Sequence, residues 1–279
     1  MRAGPVAAWD AGRAPGEVIC VLGDANLDVV VCARDPVAWE TDTPVRTSVG
    51  AGGQAANVAA WVVALGGRAR LVAARATDPA SALVAGELAR RGVDLVGPVI
   101  EGRTGVVVSL SDGGGSRSML TDRGVGPRLA AGELHSQWFE GCARLHLPAY
   151  SLVSAPIRGA ALAAAAQAPR VSVDLSSTAA LRGYGVDRFR VLLARLRPDV
   201  VFGNEAEVEL AGDLPGTELV VKRGARGVRI GGTLYAALPT RAIDSTGAGD
   251  AFAAGYLIGG VSLGLQAASR AVARMGAMP

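Results

Sequence analysis

The sequence predicts an α/β fold, with a largely parallel sheet covered by helices. Short β-rich apolar runs alternate with longer runs of helical period along most of the chain, the pattern of strands joined by crossover helices. Glycine, proline and aspartate stand at the junctions of these runs, where helices start and stop. Half of the 279 residues are hydrophobic, enough for one large α/β domain with at most a small appendage.

Taken in order, Val18–Leu22 is a buried strand. Residues 55–65 form a helix ended by Gly66 and Gly67, since glycine accepts the left-handed conformation at a helix C-terminus. Residues 70–73 are a second short strand. Asp78 before Pro79 starts the next helix: Asp caps, and proline at the first helical position gives up no needed N–H. Residues 156–167 are an Ala-rich helix, 171–175 a strand, 187–196 a helix, and 200–202 and 219–222 strands. Residues 26–49 and 105–120 break this rhythm. In the second, Val106, Val108 and Leu110 alternate, 112–115 turn, and 116–120 return, which reads as a hairpin. The two segments are expected to form a small sheet standing off the main domain, and residues 1–16 a loose N-terminal arm.

The net charge is +3 with no basic block, so nucleic acid is not an expected partner. Lys222 is the only lysine among the 28 basic residues. Cys20, Cys32 and Cys142 are widely spaced, which fits a reducing compartment. His135 and His146 have no ligand cluster around them, so zinc is not expected, and His146 is expected to pack in the sheet. The N-terminus has no secretory pattern, and no apolar run looks long and clean enough to span a bilayer. A cytoplasmic protein without membrane contact is expected.

The strongest chemical feature is Ile243-Asp244-Ser245-Thr246-Gly247-Ala248-Gly249-Asp250-Ala251-Phe252. A small-residue turn runs straight into an apolar helix, whose first N–H groups lack partners and whose dipole favours negative charge. Asp250 within such a turn is a poor choice for anion binding alone. It suits a base that takes a proton from an attacking hydroxyl while the N–H groups hold a transferring phosphoryl group. The second feature is Gly50-Ala51-Gly52-Gly53-Gln54-Ala55-Ala56-Asn57-Val58-Ala59, again leading into a helix. Gly52 and Gly53 permit close approach of a ligand, and Asn57 offers a donor and an acceptor one turn later. Neither a GxGxxG loop after the first strand nor a GxxxxGK[ST] loop is present, which argues against a dinucleotide-dependent oxidoreductase and a P-loop enzyme.

The pair GGQAANVA and DSTGAGDAF, in this order, resembles the ribokinase-like (PfkB) family of carbohydrate kinases. Gly23-Asp24-Ala25-Asn26-Leu27-Asp28 after the first strand, Asn204-Glu205-Ala206-Glu207, and Val221-Lys222-Arg223-Gly224-Ala225-Arg226-Gly227 agree with it. The resemblance covers residues 17–279. It implies a three-layer sandwich with a mainly parallel central sheet and a small β-sheet lid formed by about 26–49 and 104–121, through which many members dimerise. It also implies an ATP- and Mg²⁺-dependent phosphotransferase acting on a sugar or nucleoside hydroxyl. Asp250 would be the base, with Gly247, Ala248 and Gly249 framing the anion hole. Asn204 and Glu207 would organise Mg²⁺ and phosphates through water, and Lys222, Gly224, Gly227 and Thr246 would line the nucleotide site. Asn26, Asp28, Gly52, Gly53 and Asn57 would hold the acceptor. Asp244 and Thr246 fall where many members bind a monovalent cation such as K⁺.

The chain also departs from the family pattern. The segment between Glu207 and Lys222 and the tail after Ala251 are short, so the nucleotide pocket is expected to be trimmed or more open. Residues 146–151 lack the acidic residue of ribokinases proper, which argues against ribose. Arg117 and Arg123 resemble the arginines that meet the carboxylate in acid-sugar kinases such as 2-keto-3-deoxygluconate kinase. The further arginine of those enzymes, downstream of strand 171–175, is missing, and solvated arginine is the commoner state, so a neutral sugar held by Asp28 and Asn57 is the expected acceptor. A nucleoside kinase of adenosine or pseudouridine type is the alternative within the class. A catalytically weak sugar or nucleotide sensor is the alternative outside it, favoured by the short segments and opposed by Asp250.

Overall fold

The computed structural model describes residues 17–111 and 117–279. The expected N-terminal arm and the tip of the 105–120 hairpin lie outside the described residues. The chain begins with β1 (Val18–Leu22), buried at all five positions. It continues through β2 (Asn26–Ala33), β3 (Val45–Gly52), α1 (Gln54–Ala64), β4 (Arg68–Val72) and β5 (Arg75–Ala76). Next come α2 (Pro79–Arg90), β6 (Asp94–Val96), β7 (Val99–Ile100), β8 (Val106–Ser111), β9 (Arg117–Asp122) and β10 (Cys142–Pro148). They are followed by α3 (Tyr150–Val153), α4 (Ile157–Ala165), β11 (Val171–Asp174), α5 (Thr178–Tyr184) and α6 (Val186–Leu196). The last elements are β12 (Val200–Asn204), α7 (Glu205–Ala211), β13 (Glu218–Lys222), β14 (Val228–Ile230), β15 (Thr233–Tyr235) and α8 (Ala248–Val272).

The main sheet has the order β15-β14-β13-β12-β11-β10-β1-β4-β6. It is parallel from β13 to β6, and β14 and β15 add an antiparallel edge. Strand alternation divides its side chains between two cores. Ile19, Val21, Phe202 and Val220 pack with Val58 and Trp61 of α1 and Phe252 and Leu257 of α8. Cys20, Leu22, Leu145 and Val173 pack with Ile157 of α4 and Phe189 of α6 on the other face. The result is the expected three-layer sandwich. His146 is fully buried in the sheet, its Nδ1 2.9 Å from Ser172 Oγ, and burial pushes its pKa down to about 4.

A separate four-stranded sheet, β3-β2-β8-β9, is the small sheet expected from the two off-rhythm segments. Its strands run on to Gly52 and Asp122, beyond the 49 and 120 read from the sequence. Asp78 caps α2 by accepting from the Ser81 amide at 3.0 Å. One expectation fails. α8 is long and apolar enough to cross a membrane by length and composition. Gly259 and Gly260 break its helical geometry, and its first turns from Ala251 to Ile258 are buried against the main sheet and α1.

Candidate active site

The two glycine motifs converge. Gly53 (φ 90°) starts α1 and Gly247 (φ 73°) starts α8, both in backbone conformations that favour glycine. At Gly247 a Cβ would lie 2.6 Å from Ala277 Cα, so the C-terminal segment also demands glycine there. The helices pack side by side, and their first turns bring Asn57 to Asp250: Asn57 Nδ2 donates to Asp250 Oδ2 at 2.8 Å. Burial pushes the Asp250 carboxyl up to about 7. The Asn57 hydrogen bond and Lys222 oppose this shift, while Asp174 and Asp28 add to it.

On the lid side, Asp28 of β2 stands opposite Gly50 and folds over Gly52, where a Cβ would fall 1.9 Å from the Asp28 Cγ. Gly52 is therefore required by the position of Asp28. Burial raises the Asp28 carboxyl to about 7, opposed by a hydrogen bond from the Gly53 backbone. Five buried side-chain oxygens in this region have no hydrogen-bond partner among the described residues: Oδ1 of Asp24, Asn26, Asp28 and Asn57, and Oε1 of Gln54. Unpaired buried acceptors are costly, and a cluster of them suits a ligand that brings hydroxyl donors.

On the opposite side, the parallel strands β11, β12 and β13 end together. Asn204 and Glu207 form a reciprocal capping box at the start of α7. The Glu207 amide donates to Asn204 Oδ1 at 2.9 Å, and the Asn204 amide donates to Glu207 Oε2 at 2.8 Å. Lys222 Nζ pairs with Asp174 Oδ2 at 2.5 Å, and the Asp174 side chain is almost fully buried. Burial works against the lysine charge, but Asp174, Glu207 and Asp250 outweigh it and raise its pKa. The Glu207 carboxyl is raised by burial and lies within the influence of Lys222 and Asp174. A cavity of about 500 Å³ adjoins this group, lined by Lys222, Gly224, Gly227 and Gly249 on one side and by Phe252, Leu265 and Val272 on the other. Gly227 has a structural reason of its own, since a Cβ there would fall 1.9 Å from the Tyr235 carbonyl oxygen. Asp244 accepts from the Thr246 amide and hydroxyl at 2.8 and 2.5 Å and from the Gly276 amide at 3.0 Å. These bonds tie the start of the glycine motif to the C-terminal segment.

Three participants were not assigned from the sequence. Asp174 ends β11, and an acidic residue closing a short β-prone strand was the available signal. Asp24 lies within the Gly23–Asp28 stretch and binds Arg123 in an ion pair, against the expectation that Arg123 is solvated. Tyr150 lies under the Arg123 guanidinium, 4.7 Å from it to the ring centroid. The side chain of Arg117 lies outside the described residues.

The family model for pfkB carbohydrate kinases matches residues 17–278. The chain belongs to the pfkB family of carbohydrate kinases. It is 30% identical over 253 residues to an ATP-dependent ribose-1-phosphate kinase of Halopiger xanaduensis, covering 84% of this chain and 82% of that protein. Its fold is similar to that of adenosine kinase from Sinorhizobium meliloti, with a TM-score of 0.83 at 21% identity over 95% of this chain and 96% of that one. A ribokinase II-type protein from E. coli, solved with ATP and Mg²⁺, superposes with a TM-score of 0.80 at 20% identity, covering 94% of each chain. As a pfkB kinase, the protein has Asp250 and Asn57 at the meeting point of its two diagnostic glycine motifs.

Proposed function

We propose that this carbohydrate kinase transfers the γ-phosphoryl group of ATP to a sugar hydroxyl, with Asp250 as general base. The Asn57–Asp250 hydrogen bond carries the reading. It joins the acceptor-binding motif to the anion-binding turn, so the base lies between the cluster of hydroxyl-accepting oxygens and the uncapped N-terminus of α8. Asp250, with its carboxyl near 7, is ionised in enough molecules at neutral pH to accept a proton, which suits a general base. The N–H groups following Gly247 and the Lys222 ammonium face the charge that develops on the transferring group. The cavity beside Lys222 suits the nucleotide: glycines permit close approach to phosphates, and Phe252, Leu265 and Val272 offer an apolar surface to a base. The name of the 30%-identical relative supports ATP as donor.

Mg²⁺ fits the donor set. Among the described residues no three Asp, Glu, His or Cys side chains form a metal cluster. Asp174 and Glu207 could steer the ion through its water shell, as suits a cation that keeps its waters and takes substrate phosphates as ligands. When bound, Mg²⁺ would neutralise phosphate charge. A monovalent cation would sit beside Asp244 and Thr246, whose turn adjoins the anion hole.

The test is Asp250→Asn, compared with wild type for kcat by coupled ADP release and for ATP affinity by calorimetry. Turnover is expected to fall at least 10²–10⁴-fold, the usual worth of general-base assistance, with ATP affinity retained. Activity within a few-fold of wild type would remove Asp250 from the role.

A further inference from the structure

A second cavity, of about 510 Å³, is lined by Arg123, Tyr150, Arg158, Tyr184 and Arg188, and among the described residues no carboxylate stands in its wall. Arg123 joins this cavity to the candidate active site through its ion pair with Asp24, and beneath it in the same wall lies Tyr150. Burial raises its hydroxyl pKa, against a hydrogen bond with Ser177 and the charge of Arg123, and the carboxylates of Asp174 and Glu207 reach it as well. Arg123, lying over the Tyr150 ring, is already neutralised by Asp24.

Arg158 and Arg188 are not neutralised. Both guanidinium groups are held at the Tyr184 ring, 5.3 and 4.8 Å from its centroid, and neither makes an ion pair among the described residues. The nearest acid in sequence, Asp187, engages Arg190 instead, at 3.4 Å. Stacking on a tyrosine orients a guanidinium but leaves its charge and its N–H fork available. Two like charges held at one ring repel each other unless an anion lies between them, and a phosphate monoester matches two such forks in charge and in acceptor number.

We propose that this cavity is a subsite for a phosphate already carried by the acceptor, with Arg158 and Arg188 as its ligands, so that the substrate is a sugar phosphate. This rests on the kinase reading above and replaces the neutral sugar expected from the sequence. That expectation assumed solvated lid arginines and did not consider residues of α4 and α6. The cavity is distinct from the nucleotide pocket, which shares no lining residue with it.

Wild type, Arg158→Ala, Arg188→Ala and the double variant should be assayed by ADP release with ribose 1-phosphate, ribose 5-phosphate and fructose 6-phosphate. Ribose, fructose and 2-keto-3-deoxygluconate complete the panel. In parallel, calorimetry should follow binding of the same sugar phosphates to full-length Asp250→Asn with and without each arginine substitution. We expect a sugar phosphate to be the best acceptor. Its KM should rise at least tenfold in each single variant and further in the double variant, with kcat changed little, and Arg158→Lys should recover part of the loss. An unchanged KM in the double variant, or equal use of a parent sugar, would overturn the subsite. Preference for the keto-acid sugar would overturn phosphate as its ligand. The two readings fail separately. Turnover that needs Asp250 but ignores both arginines retains the kinase and removes the subsite. Arginine-dependent binding of a sugar phosphate without turnover of any acceptor retains the subsite and removes the kinase reading.

Discussion

Asp250 is held under conditions that disfavour its charge, and the proposed chemistry needs that charge. Its ordinary pKa of 3.8 is raised to about 7 chiefly by burial. The acid limb of kcat/KM, which reports groups of the free enzyme, is therefore expected to turn near pH 7. A limb turning at 4–5 in a pH-rate profile would mean that the base is a better-solvated carboxylate. The same shift sets a stability effect of definite sign. A carboxyl whose pKa is higher in the folded state than in the unfolded state contributes stability below about pH 4 and loses it as pH rises through 7. At pH 8 the folded protein carries the cost of an ionised, buried Asp250. Asp250→Asn removes that cost and keeps an acceptor and shape for Asn57. We expect the inactive variant to be more stable than wild type at pH 8 by a few kcal/mol, at ~1.4 kcal/mol per pKa unit. The gain should shrink as pH falls toward 5. Urea unfolding at both pH values checks this, and a variant less stable than wild type at pH 8 would show that the Asp250 carboxylate is a net structural asset.

At the scale of elements, α7 carries one pair of residues with a structural use and a proposed second one. Asn204 and Glu207 cap their own helix reciprocally, which is the ordinary structural use of this spacing, and Glu207 also lies within the field of Lys222 and Asp174. Two substitutions separate the uses. Asn204→Ala removes the cap and should cost about 1 kcal/mol of stability. Glu207→Gln can still accept from the Asn204 amide, so stability should change little, but the loss of charge should raise the Mg²⁺ concentration needed for half-maximal activity. An unchanged Mg²⁺ titration would leave the pair as a cap alone. The glycine motifs were legible in the sequence because their meaning is local: φ at Gly53 and Gly247, and the helix starts they permit, are properties of a few consecutive residues. Pairings across the fold were not legible. Asp174 reaches Lys222 only because β11 and β13 flank β12 in the sheet, and no spacing along the chain encodes that order. Arg123 looked solvated because the position of Asp24, 99 residues earlier, is fixed by the connection between the two sheets. Gly227 lines the cavity proposed for the nucleotide, and the close passage of Tyr235, which no spacing along the chain reveals, is a second reason for glycine there.

At the scale of the molecule, the small sheet has two unlike faces. Asp28, Gly50, Val107 and Thr121 lie in register on the face that carries the carboxylate proposed to bind the acceptor, and Val107 is buried there. One residue further along β2, the opposite face presents Val49, Val29, Val108 and Leu120 in a row across all four strands. At its two ends Val49 is 55% and Leu120 57% exposed. A β-branched and aliphatic row spanning an entire sheet is poorly suited to water. Its flat, repeated geometry is self-complementary under a two-fold axis, the commonest symmetry of homo-oligomers. We propose that a second copy of the chain covers this row. Light scattering should then give a particle of twice the 28.2 kDa chain mass, and the Val49→Asp/Leu120→Asp double variant should be monomeric. Because β2 carries Asp28 on its other face, releasing the sheet from its partner should loosen the acceptor site more than the nucleotide site. The monomeric variant is therefore expected to show a larger rise in KM for the sugar than for ATP. A wild-type chain that stays monomeric at micromolar concentrations, or a monomeric variant with both KM values unchanged, would mean that the sheet works as a lid without a partner.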